Sequence, residues 1–214
     1  MEGAGAYNDW VFERARLHLG RRVLDAGAGI GTFTELAAEG REVVAVEPDP
    51  EQLAILRGRV AGRANVQVVE GTVEDVSGTF DSILCLNVLE HIPDDRGTLG
   101  RFHELLVPGG SLLLLVPAHP ALYGGIDRAV DHQRRYTKAG LSDCLREAGF
   151  TVAELRLVNP LGALGWFVSS LVLKREQIPE GPLRVYDKLV PALRMLDRVD
   201  VAVGLSVWAV ARRA

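Results

Sequence analysis

Arg22-Val23-Leu24-Asp25-Ala26-Gly27-Ala28-Gly29-Ile30-Gly31 is the stretch whose reading decides the fold. An apolar run ends in glycines at alternate positions, and a helical pattern from Thr32 to Gly40 follows. Glycines at such a turn let the backbone approach a ligand closely and adopt dihedrals that side chains forbid. The next apolar run, Glu42-Val43-Val44-Ala45-Val46-Glu47, reads as a second strand and ends in an acid twenty positions after Gly27. A carboxylate in that place can accept hydrogen bonds from the two hydroxyls of a ribose. Together the turn and the acid predict a nucleoside-containing cofactor at the carboxyl ends of the strands.

The same alternation continues outward. Val66 to Glu70, Phe80 to Leu86, Ser111 to Val116, Val152 to Val158 and Val201 to Ala211 read as strands. Pro50 to Arg59, about Thr98 to Leu106, and Lys138 to Ala148 read as helices. Strands alternating with helices predict a parallel sheet covered on both faces, and near-continuous Val, Ile and Leu runs agree. A length of 214 residues suits one domain. A net charge of -4 argues against nucleic acid as a partner. Two cysteines, Cys85 and Cys144, suit a reducing, cytoplasmic setting. Met1 to Ala6 lacks a basic and apolar leader pattern, and no run reaches the ~18 apolar residues of a membrane span. The cofactor is open between a dinucleotide and S-adenosylmethionine. The dinucleotide fingerprint asks for a small residue where Thr32 stands, and no Arg or Lys accompanies the turn. Backbone amides alone can nevertheless hold a pyrophosphate.

Four motifs stand in order: Val23 to Gly31, Val43 to Asp49, Phe80-Asp81 to His91, and Leu106-Val107-Pro108-Gly109-Gly110. With them, most of the chain resembles a class I S-adenosylmethionine-dependent methyltransferase. Asn87-Val88-Leu89-Glu90-His91-Ile92 is similar to the segment after the fourth strand of many small-molecule members. The resemblance implies a Rossmann-like, doubly wound α/β fold with a seven-stranded sheet. Its last strand, Val201 to Ala211, would run antiparallel between the fifth and sixth. It implies that Asp25, Gly27, Ala28 and Gly29 meet the methionine part of S-adenosyl-L-methionine and that Glu47 binds the ribose. Pro48, Asp49, Thr72 and Val73 would border the adenine, and Asn87 and Val88 would line the methionine end. Many members carry Asp where Thr72 stands; a hydroxyl can also accept from the adenine amino group. Some members bind a divalent ion with a Glu-His pair at Glu90-His91. Those usually carry another acid three positions earlier, where this chain has Asn87, so no metal is expected.

The substrate side is read from what remains of the single domain: a lid at residues 1–20, a loop at 117–137 and a helical insertion at 160–198, around a cofactor core at 21–116. The loop follows the fifth strand, where such folds place substrate chemistry. It resembles that of a subgroup often found near, or fused to, glycosyltransferases, as do Asn159-Pro160-Leu161-Gly162 and Gly204-Leu205-Ser206. His132 is the first candidate general base and His119 the second, against a purely structural histidine that pins the loop. Arg134 and Arg135 suit a phosphate or carboxylate on the substrate, or else pair with Asp127 or Asp131 to fold the loop. Tyr123 and Tyr136 wall an acceptor pocket or only pack. Asp127, Tyr7 and Trp166 complete the substrate candidates. Tyr7, Asn8 and Trp10 precede a helix from Val11 to Leu19 that caps the cofactor or packs on the core. The 160–198 hairpin covers core, forms a lid, makes a dimer interface or docks on a membrane surface. The expectation is methyl transfer to an oxygen of a small, partly apolar metabolite by a monomer or homodimer. N- or C-methylation of a natural product or sugar, a cofactor-binding protein that transfers nothing, and a nicotinamide-dependent oxidoreductase are the alternatives.

Overall fold

The structure is a computed structural model that describes residues 5–160, 162–163 and 203–214. Seven strands form one sheet: β1 (Arg22–Ala26), β2 (Glu42–Glu47), β3 (Val66–Glu70), β4 (Phe80–Leu86), β5 (Leu106–Pro117), β6 (Phe150–Val158) and β7 (Ser206–Arg213). Their spatial order is β3-β2-β1-β4-β5-β7-β6. The first five pair in parallel, and β7 runs antiparallel between β5 and β6. An all-parallel dinucleotide sheet has no such strand.

Alternation along the strands sends side chains to two cores. On one face Leu24, Val44, Ile83, Cys85, Leu112 and Ala209 join Leu99 and Phe102 of helix α4 (Asp95–Leu105) and Leu141 and Leu145 of α6 (Lys138–Glu147). Between α4 and α6 in the chain lies α5 (Gly125–Ala129), a short helix inside the loop after β5. On the other face Val23, Val43, Leu84, Leu113 and Trp208 meet Trp10, Val11, Phe12 and Ala15 of α1 (Gly5–Ala15) and Ala37 of α2 (Thr32–Ala37). Helix α3 (Pro50–Arg59) closes over Ala45 with Leu53 and Leu56. Its start follows from Pro50 and from Asp49, whose side chain accepts from the amides of Glu51 and Gln52. Asp94 and Thr137 cap α4 and α6 in the same way.

Several boundaries differ from the sequence expectation. Tyr7, Asn8 and Trp10 lie within α1 rather than before it, and a 3-10 turn, Arg16–His18, replaces its expected last turn. Strand β7 begins at Ser206, not Val201, because the Leu205 amide goes to the Asn159 carbonyl and the Leu205 carbonyl takes the Ala118 amide. The loop after β5 contains a 3-10 turn, Pro120–Leu122, besides α5. The expected 160–198 hairpin, including Trp166, lies almost wholly outside the described residues.

Candidate active site

The parallel strands end together at one edge of the sheet, and the turn after β1 begins the site there. Gly27 has φ +70°, and a Cβ on it would stand 2.6 Å from a methyl of Val88. Gly29 and Gly31 also have positive φ, 56° and 84°. The amides of Gly27 and Ala28 both donate to the Val46 carbonyl, and that of Gly31 to Ala28. The Gly29 amide donates to Glu47 Oε2 at 2.7 Å. These four amides are therefore spent inside the protein, and none of them is left to cradle a pyrophosphate. That disfavours the dinucleotide alternative.

Glu47 is buried, and its other oxygen accepts from the Asp49 amide at 2.9 Å. Two backbone bonds fix the carboxylate and leave lone pairs for hydroxyl donors. Asp25 is fully enclosed and accepts from the Thr34 hydroxyl at 2.6 Å. Burial raises its pKa to about 6; the Thr34 bond opposes this and the charge of Glu47 adds to it. Pro48 and Asp49 are exposed beside Glu47. Thr72 is exposed and caps the 3-10 turn Val73–Asp75, its amide donating to Asp75 Oδ2 at 2.9 Å. Val73 is buried in that turn. Asn87 and Val88 are half-buried after β4.

Asn87, His119 and Asn159 follow β4, β5 and β6 at this edge, each with a left-handed φ of 57–64°. Non-glycine residues held there carry backbone strain, which collects at functional sites.

The loop after β5 is tied by its own charges. Buried Asp127 accepts from His132 Nδ1 and from Arg135 Nε, both at 2.8 Å, and from the Gly124 amide. Burial works against ionisation of Asp127, and these donors outweigh it, holding the carboxyl below its usual range. Arg135 is buried and also donates to the Ala118 carbonyl at 3.0 Å. Arg134 pairs instead with Asp95 at 2.8 Å, and Tyr136 donates its hydroxyl to the same carboxylate. Tyr123 donates to the His132 carbonyl at 2.8 Å. Thus Asp127, His132 and Arg135 form one cluster, and Arg134 and Tyr136 a second around Asp95. Tyr7 packs in the core against Trp10, ring centres 5.5 Å apart.

Two more groups complete the first cluster. Glu90 sits in the 3-10 turn after β4 with Oε1 3.9 Å from His132 Nε2. Burial pushes its carboxyl up to about 8. His91 lies edge-on to His132, ring centres 4.8 Å apart, and burial with the neighbouring imidazole holds its pKa down. Oε2 of Glu90 and Nε2 of His119 are buried without a hydrogen-bond partner. Such orphans call for a ligand or another occupant. Asp95 and Thr34 were not foreseen from the sequence: nothing in the spacing links Asp95 to Arg134, or Thr34 to Asp25.

A seven-stranded sheet with an antiparallel last insertion, and a glycine turn facing a strand-end acid, define a class I S-adenosylmethionine-dependent methyltransferase. A family profile described as a methyltransferase domain matches residues 5–155, and the chain belongs to that family. Curated relatives include ubiquinone biosynthesis O-methyltransferases of Erwinia tasmaniensis (34% identity over 49% of this chain and 45% of that one). The enzyme of that name from Xanthomonas oryzae is 38% identical over 47% of this chain and 45% of its own. The chain thus spans about half the length of the curated relatives it matches. Among solved structures, 1,6-didemethyltoxoflavin-N1-methyltransferase of Burkholderia thailandensis aligns with TM-score 0.60 and 25% identity over 99% of this chain and 79% of that one. The [4+2]-cyclase SpnF shares the fold, with TM-score 0.66 and 19% identity over 98% and 81%.

Proposed function

We propose that the chain transfers the methyl group of S-adenosylmethionine to an oxygen of a small, partly apolar acceptor. When bound, the cofactor supplies an electrophilic methyl group on a sulfonium sulfur. The residues at the sheet edge suit it. Glu47 is pinned with lone pairs spare for ribose hydroxyls, Asp25 offers a carboxyl toward the cationic methionine end, and the glycine turn keeps side chains out of the way. Pro48, Asp49, Thr72 and Val73 would border the adenine, and Asn87 and Val88 the methionine chain.

The observation that carries the oxygen assignment is the Asp127–His132 pair. With Nδ1–H donated to Asp127 at 2.8 Å, His132 keeps its lone pair on Nε2. A hydroxyl beside Nε2 can pass its proton there as its oxygen attacks, and Asp127 stabilises the imidazolium that results. The O-methyltransferase names of the relatives support this reading. His119, with its orphaned Nε2, is the second candidate base. Arg134 and Arg135 hold the loop in shape, Tyr123 and Tyr136 would bound the acceptor side, and Tyr7, expected there from the sequence, packs in the core instead. The free Cys85 and Cys144 suit a reducing, cytoplasmic setting. Among the described residues no helix is long and apolar enough to cross a membrane.

The test is methyl release from labelled cofactor over a panel of phenolic, catecholic and prenylated acceptors, with His132→Ala alongside. Expected is turnover with an oxygen acceptor, reduced about 10²–10⁴-fold in the variant while S-adenosylhomocysteine still binds. Normal turnover in His132→Ala would remove it as the base. Cofactor binding with no methyl release from any acceptor would favour a non-methylating relative of the cyclase kind.

A further inference from the structure

Val73–Asp75 is a short 3-10 turn between β3 and β4, and little of it is anchored. Thr72, Glu74 and Asp75 are exposed, while Val73 and the flanking Val76 reach the core. The start of the turn is tied by the Gly71 amide, which donates to the Glu47 carbonyl at 3.2 Å. Its end is tied by a side chain from α4. Arg101 donates from Nη2 to the Val76 carbonyl at 2.8 Å and, more loosely, from Nε to the Val73 carbonyl at 3.5 Å. We infer that Arg101 is a positioning residue for adenine recognition, holding the turn so that Thr72 and Val73 meet the edge of the base while Arg101 itself stays off the cofactor. The inference rests on the S-adenosylmethionine reading and names a residue through which that site gains its selectivity.

The turn has a donor and an acceptor to spare. The Val73 amide makes no hydrogen bond among the described residues. The Thr72 hydroxyl takes a long bond from the Glu74 amide, 3.3 Å, and gives one to Asp75 Oδ2 at 3.4 Å, which leaves it a lone pair. A donor beside an acceptor matches adenine, whose ring N1 accepts and whose amino group donates along one edge. Hypoxanthine reverses that edge, because its N1 carries a hydrogen and its neighbour is a carbonyl. Hydrogen bonds weaken steeply with misalignment, so the match discriminates between the two bases to the extent that the turn stays in place.

Arginine suits this task. Its guanidinium is a planar fork, so one side chain can serve two carbonyls and still pair outward. Nη1 meets Glu104 Oε2 at 2.9 Å, and Glu74 Oε2 lies 3.8 Å from Nε. Along a helical turn amides and carbonyls point to opposite ends, so a grip on the carbonyls does not compete with a base at the Val73 amide. The helix behind Arg101 is a firm platform. Leu99 and Phe102 of α4 are buried in the core, and Asp95 in its first turn holds Arg134 and Tyr136 of the loop after β5.

The experiment is calorimetric titration of the full chain with S-adenosylhomocysteine and with S-inosylhomocysteine, which carries hypoxanthine in place of adenine. The wild type should prefer the adenine ligand. Arg101→Met keeps the apolar stem and removes the fork; it should weaken S-adenosylhomocysteine about tenfold and the inosyl ligand about twofold, so that the preference falls about fivefold. Arg101→Lys keeps the charge but reaches one carbonyl at most, and its preference should lie between the two. Circular dichroism and thermal melting of the same samples report the fold. A role confined to stability lowers the melting temperature and leaves the ratio of the two affinities unchanged. An unchanged ratio in Arg101→Met, or a wild type indifferent to the base, would overturn the inference while leaving S-adenosylhomocysteine binding and the methyltransferase reading intact. A wild type that binds neither ligand would instead defeat the cofactor reading, and the inference with it.

Discussion

Replacing Asp25 by Asn should flatten a specific part of the pH dependence of stability. Asp25 is buried beneath the glycine turn, and its pKa is raised from 3.8 to about 6. The folded state therefore binds more protons than the unfolded state between those two values. Stability falls as pH rises through that window, and the loss is complete above about pH 6. Roughly two pH units correspond to about 3 kcal/mol in total, of which about 2 kcal/mol falls between about pH 4.5 and pH 7.5. Asparagine keeps the volume and still offers an oxygen to the Thr34 hydroxyl, which now donates at 2.6 Å. The assay is urea unfolding of cofactor-free protein followed by tryptophan fluorescence across that range. The variant should gain on the wild type by about 2 kcal/mol as pH rises. Parallel stability curves for the two proteins would refute the claim that Asp25 is held in a raised-pKa environment.

Gly27→Ala puts a Cβ 2.6 Å from a Val88 methyl at φ +70°, so thermal stability should drop by about 1–3 kcal/mol. Adding Val88→Ala should restore the steric share only, and full recovery would show that the dihedral is not strained. Glu47→Ala should weaken S-adenosylhomocysteine about 10–100-fold in calorimetry, the worth of charge-assisted hydrogen bonds; unchanged affinity would end its ribose role.

The sheet and the turn after β1 are largely legible in the sequence. Burial on both faces leaves apolar runs, the turn after β1 demands glycine at its left-handed positions, and Glu47 ends its strand at a fixed distance. These are local constraints, and local constraints are written in consecutive residues. The antiparallel β7 came from resemblance, since its apolar run carries no mark of direction. Its start was misplaced at Val201 because apolar Val203 and Leu205 look like strand while Leu205 spends its hydrogen bonds on Asn159 and Ala118. The loop cluster was only half legible. Asp127 was a candidate partner for an arginine, and Arg135 takes it. That Arg134 would choose Asp95, and Glu90 would face His132, depends on how the loop lies over the turn after β4. No spacing rule in the chain encodes that.

The position of β7 has a consequence for how the chain is made. β7 lies between β5 and β6 in the sheet, yet it follows both of them in the chain. Until it emerges, each presents a long hydrogen-bonding edge, and that of β5 is flanked by leucines. Such edges recruit other chains. Closure of the sheet therefore waits for Ser206–Arg213, and removing those few residues would leave both edges unpaired without touching any residue of the site.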